Sequence, residues 1–200
     1  MNKVLNRIAF AAVLTFGLVA PAMASVIPSP ADDVASQANG GVAFSSSTGF
    51  GGTPDRVNDG NRGGDYFGDL STAHTAFQDG NGFMGVNLAA TGLIDRIIVW
   101  NRTGDGGCCG SRIDGNGTVP FEIKLGATSF GFFNFTQNIT DGAASGMSIL
   151  VPNLSASQVT LFQHNVDFMN IAEIEVFTIP EPATLSLLAL GGLALIRRRQ

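Results

Sequence analysis

Two adjacent cysteines, Cys108-Cys109, sit among Gly106, Gly107, Gly110 and Ser111. Zinc suits them poorly, because metal sites usually space their cysteines by two or more residues and gather four ligands. The glycines mark a loop rather than a core. In an oxidising compartment neighbouring cysteines can close a small strained ring that offers a rigid, polarisable apolar surface. Two free thiols are the other state these residues allow. Arg102 precedes the pair, and Arg112 follows Cys109 by three residues. A lone loop arginine is usually a solvated charge, but two flanking a rigid platform can grip hydroxyls and ring oxygens with fixed geometry. His74 lies 28 residues before Arg102, in Ser71-Thr72-Ala73-His74-Thr75. A few placed polar groups beside an apolar platform are what a small-ligand site needs. Catalytic patterns are thin: no serine has a nucleophile-elbow setting, no histidine-rich metal motif occurs, and no carboxylate pair stands out for glycoside hydrolysis. His164, between Phe162 and Val166 in a strand-like run, reads as structural.

These residues must be held by the body of the chain, which two distinctive ends enclose. Lys3 and Arg7 precede an uncharged apolar run from Ile8 to Ala20, and Ala22-Met23-Ala24 supplies a small-x-small cleavage pattern. That is the build of a secretory signal, 1–24, with an apolar run too short to span a bilayer. At the other end Ile179-Pro180-Glu181-Pro182 leads into an apolar segment, Ala183 to Ile196, closed by Arg197-Arg198-Arg199. As a helix this segment is roughly 21 Å long, shorter than a bilayer core of about 30 Å. It spans only with local thinning or snorkelling arginines, and the positive-inside rule keeps those arginines cytoplasmic with the body outside.

Between the ends lie 25–33, a short lead, and 34–178, enough for one domain with a real core. Five of the 11 basic residues and one of the 16 acidic residues fall in the ends, which leaves the body 6 basic against 15 acidic, a net of −9. Nucleic acid wants the opposite charge. Glycine is abundant and long helical periodicity is missing, while short alternating runs recur between turn signals. The expected strands are Phe83 to Leu88, Ile94 to Trp100, Phe121 to Leu125, Thr128 to Phe135, Gln158 to Gln163 and Ile171 to Phe177. Asp59-Gly60-Asn61, Asp79-Gly80-Asn81-Gly82 and Asp114-Gly115-Asn116-Gly117 mark turns. The fold class is all-β, a jelly-roll β-sandwich flanked by an N-terminal signal helix and a C-terminal hydrophobic helix.

Two resemblances sharpen this. Pro180-Glu181-Pro182, the apolar stretch and Arg197, Arg198 and Arg199 resemble the PEP-CTERM sorting signal. That resemblance implies an exosortase-type enzyme as partner beside signal peptidase, export to the cell envelope, surface or matrix, and a membrane anchor before processing. The run Ile94 to Arg102, then Cys108-Cys109-Gly110-Ser111-Arg112, resembles the F-type, fucose-binding lectins of the wider discoidin or coagulation-factor-like, galactose-binding-like sandwiches. Thr103 to Gly107 is longer than that family's spacing. The resemblance implies that His74, Arg102 and Arg112 bond a fucose-like sugar, that a Cys108–Cys109 disulfide packs on its apolar edge, and that Phe67 lies by its methyl. It also implies a structural Ca2+, with Asp59 and Glu173 as charged ligands, Asn61 through an oxygen, and the carbonyls of Arg56, Ser71 and Ala172. The function expected is binding of fucose-like carbohydrate or exopolysaccharide without catalysis. A structural surface or matrix protein whose sandwich binds no sugar is the alternative, and an unrecognised hydrolase the distant third.

Overall fold

The computed structural model describes residues 27–76, 81–103, 113, 119–164 and 168–179. The signal segment, the Cys108-Cys109 pair, Arg112, the Asp114 turn, Asp79-Gly80 and the tail from Pro180 lie outside them, and so do both flanking helices. Among the described residues no helix is long and apolar enough to cross a membrane.

Among the described residues nine strands carry the fold: β1 Val42–Ser45, β2 Ala73–His74, β3 Phe83–Trp100, β4 Phe121–Leu125, β5 Thr128–Phe133, β6 Ile139–Asp141, β7 Ala144–Gln163, β8 Asn170–Ile171 and β9 Glu173–Thr178. Seven form one curled sheet, and β2 pairs with β8 in a small sheet of its own. The curl comes from the two longest strands, β3 and β7, which run antiparallel along most of their length. Their register shifts between Asn87 and Gly92 and again between Ile94 and Arg96. Irregularities of this kind bend a strand and sharpen its twist, so one pair serves two layers. The first part of β3 lies beside β1, and the last part beside β9. Likewise the end of β7 pairs with β4 and its start with β6.

Period-two alternation sorts the side chains. Met84, Val86, Ile97 and Val99 of β3 enter the main core with Phe121, Ile123, Val159, Leu161, Ile174 and Val176. Ile98 and Trp100 point the other way, into a smaller cluster with Ile139, Ala172 and Phe177. Arg62 holds that cluster's rim. It pairs with Asp141 at 2.7 Å and Glu175 at 2.6 Å, lies over the Trp100 ring at 5.1 Å, and Trp100 Nε1 donates to Glu175 at 3.0 Å.

The all-β class is as expected, and β4 has the expected bounds. Phe83 to Leu88 and Ile94 to Trp100 are one strand rather than two, and β7 begins at Ala144, well before Gln158. Ile171 to Phe177 divides at Ala172 into β8 and β9. The lead is not separate from the fold: Asp33 bridges to Phe177 and accepts the N–H groups of Ala35 and Val176.

Candidate functional site

His74 ends the two-residue strand β2 and faces Asn170 of β8 across an antiparallel pair. Its ring is buried, and Nδ1 lies 2.7 Å from the carbonyl of Thr75. A carbonyl only accepts, so Nδ1 carries a proton. Arg102, two residues past the end of β3, is buried too, and its Nη1 donates to Asn170 Oδ1 at 3.3 Å. Asn170 therefore ties the two together, as strand partner of one and acceptor for the other. Above the guanidinium stand Tyr66, 4.8 Å from it to the ring centroid, and Phe67, at 5.8 Å. Arginine stacks on such faces more readily than lysine, which fixes its plane. Phe67 is 73% exposed, and Tyr66 lies 5.2 Å from it and 5.9 Å from the His74 ring.

A loop clasps His74 from the opposite sequence direction. Gly49 N donates to His74 O at 2.8 Å and His74 N donates to Gly52 O at 3.0 Å. The turn between them closes with Gly52 N on Gly49 O at 2.9 Å, and its central residues, Phe50 and Gly51, have φ of 51° and 75°. Positive φ at both central positions is the type I′ pattern, which favours Asn, Asp or Gly. A bulky residue there costs on the order of 1–2 kcal/mol. Phe50 nonetheless holds it, 66% exposed, its ring 4.9 Å from His74 and 5.3 Å from Phe168.

The segments that carry the expected metal ligands also meet. Three hydrogen bonds draw them together: Arg56 Nη1 to Thr72 O at 3.2 Å, Asn61 Nδ2 to Asp69 Oδ2 at 3.5 Å, and Gly60 N to both Glu173 oxygens at 3.2 and 3.3 Å. Ser71 N donates to Asp69 Oδ1, and Ala172 N to Trp100 O. Positive φ at Gly60, 88°, makes the turn that aims its N–H at Glu173. Glu173 is fully buried, and burial first, then the neighbouring Asp59 carboxylate, pushes its pKa up to about 9. Asp59 is raised as well, mainly by burial. A carboxylate as deeply buried as that of Glu173, with the Asp59 carboxylate beside it, wants a proton or a cation. Hard oxygens from loops are calcium donors, so the residues present fit that ion. Among the described residues no three acidic, histidine or cysteine side chains gather as a metal cluster. The expected set needs only two, with a side-chain amide and carbonyls for the rest. On this side a cavity of about 330 Å³ opens, with Asp33, Arg62, Asp141, Glu173 and Glu175 as its charged lining.

Of the expected sugar-site residues, His74, Arg102 and Phe67 come together. Cys108, Cys109 and Arg112 lie outside the described residues. Asn170, Tyr66, Phe50 and Phe168 are additions. Tyr66 was findable as the neighbour of Phe67, and Asn170 as a polar residue opening the apolar run before Glu173.

The fold is shared with known proteins. Residues 178–200 match the PEP-CTERM protein-sorting motif. The lectin domain of lectinolysin, solved in complex with the Lewis B antigen, is similar over 74% of this chain and 96% of its own, at 26% identity and TM-score 0.58. A Streptococcus pneumoniae fucose binding module, SpX-3, covers 74% of this chain and 98% of its own at 24% identity and TM-score 0.57. The family 32 carbohydrate-binding module of Clostridium perfringens NanJ, in complex with galactose, is at 19% identity and TM-score 0.52, with 72% and 98% covered. No curated protein matches the chain in sequence. The fold is that of the F-type lectins and discoidin-like sandwiches, and the chain carries a PEP-CTERM motif that marks export and sorting to the cell envelope.

Proposed function

We propose that this is an exported, surface-sorted carbohydrate-binding protein that holds a fucose-like sugar and catalyses no reaction on it. One observation carries the proposal: Asn170 locks the buried Arg102 beside His74, under the half-buried Tyr66 and the exposed Phe67. A guanidinium fixed in this way donates to hydroxyls in a set direction, and an exposed ring beside it takes a methyl or a C–H face. Arg112 is the second guanidinium, and Cys108-Cys109, oxidised, the apolar platform. The likeness to the lectinolysin lectin domain, which was solved with the Lewis B antigen, supports the sugar class.

In this proposal Asp59 and Glu173 hold a calcium ion, completed by Asn61 and the carbonyls of Arg56, Ser71 and Ala172. Calcium supplies no chemistry to the sugar; it neutralises the buried Glu173 and its neighbour Asp59, and pins the 56–61 loop to β9. At the cell, signal peptidase and an exosortase-type enzyme act on the ends, and the tail holds the membrane until processing.

Calorimetric titration of L-fucose into the purified full chain tests both parts. Binding is expected in calcium, and Arg102→Ala or Arg112→Ala should weaken it by about tenfold or more. Calcium against chelator should raise the melting temperature of the wild type and not of Glu173→Gln. No binding of fucose or any neutral glycan by the wild type sinks the sugar assignment. A melting temperature blind to calcium sinks the metal.

A further inference from the structure

We infer that Phe50 and Phe168 form a second aromatic wall of this site, which takes the next sugar ring of a neutral oligosaccharide. The inference rests on the sugar assignment above and adds the size and charge of the ligand. Its starting point is a residue in the wrong place for folding. The Gly49–Gly52 turn has positive φ at both central positions, where Asn or Gly would hold the backbone without strain. Phe50 stands there with two-thirds of its surface exposed, so core packing does not account for the choice of residue. Strain kept at an exposed bulky side chain points to a use for that side chain.

Its position is fixed as well as strained. Hydrogen bonds from both sides of the turn lock it to His74 in register. A Cβ at Gly49 would come within 2.3 Å of Thr75 O, and one at Gly52 within 2.7 Å of His74 Cβ, so glycine alone permits this close clasp. The Tyr66 hydroxyl donates to the Phe50 carbonyl, which joins the turn to the first aromatic pair. Phe50, His74 and Phe168 then form a mutual ring triad, with centroids 4.9, 5.0 and 5.3 Å apart. His74 is the shared member of two aromatic groups: Tyr66 with Phe67 beside Arg102, and Phe50 with Phe168.

The first group, with its guanidinium, is equipped for one sugar that offers hydroxyls and a methyl. The second group adds ring surface, and rigid aromatics bind the C–H face of a pyranose at low entropic cost. A monosaccharide does not need both. The body's net charge of −9 repels a polyanion, so the chain recognised is neutral.

The test compares methyl α-L-fucoside with 2′-fucosyllactose and Lewis b oligosaccharide, titrated into the full chain and into Phe50→Asn and Phe50→Tyr. Asn suits the turn, so Phe50→Asn should melt no lower than the wild type. The wild type should prefer the oligosaccharides. In Phe50→Asn that preference, the ratio of oligosaccharide to fucoside affinity, should fall about tenfold, the worth of one aromatic stack. Phe50→Tyr should restore it. An unchanged ratio in Phe50→Asn, or equal weakening of both ligand classes, overturns the second wall while leaving the first sugar's site intact. If the wild type binds none of the three ligands, the sugar assignment itself falls, and the second wall with it.

Discussion

Asp33 is buried, and its Oδ1 accepts backbone N–H groups from Ala35 at 2.9 Å and Val176 at 2.8 Å. Those bonds favour the carboxylate, but burial outweighs them and raises the pKa from 3.8 to about 6. The sign follows from proton counts. Between pH 4 and 6 the folded chain binds more protons at this site than the unfolded chain, so its contribution to stability falls as pH rises through that window. Asparagine keeps the Oδ1 acceptor and removes the charge. We therefore expect Asp33→Asn to melt near the wild type at pH 4 and above it at pH 7, with a gap on the order of 3 kcal/mol from a shift of about two units. Denaturant melts followed by Trp100, the chain's one tryptophan and fully buried, measure it; a gap that does not widen with pH rejects the assignment. At this scale the sequence is readable where residue type and spacing act together. His74 and Arg102 stand out by type and spacing, whereas Phe67, and Asp59 with Glu173, come only through the resemblance to the F-type lectins. Asn170 and Phe50 do neither, because the first depends on β2 meeting β8, and the second on a turn whose glycines do not announce that a phenylalanine sits within it.

The elements depend on close approach as much as on alternation. In β7, Gly146 lies opposite Trp100 of β3, and a Cβ there would come 2.7 Å from Trp100 Cε3 and 2.8 Å from Ile139 Cγ2. The indole is also held by Glu175 and covered by Arg62, so it has little room to yield. Gly146→Ala should cost about 1–3 kcal/mol through overpacking and lower the melting temperature accordingly. A melt unchanged within error means the Trp100 ring can shift. The alternating stretches of β3 were legible, since Met84, Val86, Ile97 and Val99 carry the inward face. Their fusion was not, because Ala89-Ala90-Thr91-Gly92 between them lacks the pattern, and the register shifts there let the strand continue through it. The start of β7 was hidden for a related reason. Ala144, Gly146 and Ser148 are small, chosen to fit against Trp100 and Asn138, and they give no hydrophobic signal of a strand.

For the molecule as a whole, the junction between sandwich and tail is abrupt. β9 ends at Thr178, and Ile179 N still donates to Leu93 O at 2.8 Å. Pro180 follows at once, with no N–H to extend the ladder. The sorting motif, matched over 178–200, thus begins inside the last bonds of the fold, without a linker. The apolar stretch behind it is short for a bilayer span, so in the proposed reading its hold depends on Arg197-Arg198-Arg199 staying on the cytoplasmic side. On the proposed reading such a tail is a temporary anchor that presents the motif until it is cut. Replacing Pro180, Glu181 and Pro182 by alanine leaves the anchor and removes the recognised sequence. The variant should accumulate at the inner membrane at its uncut size, while the wild type appears shortened at the surface or in the medium. Fractionation with immunoblotting, and intact mass of the surface form, read this directly, and an unchanged distribution would show that the Pro-Glu-Pro residues do not direct sorting.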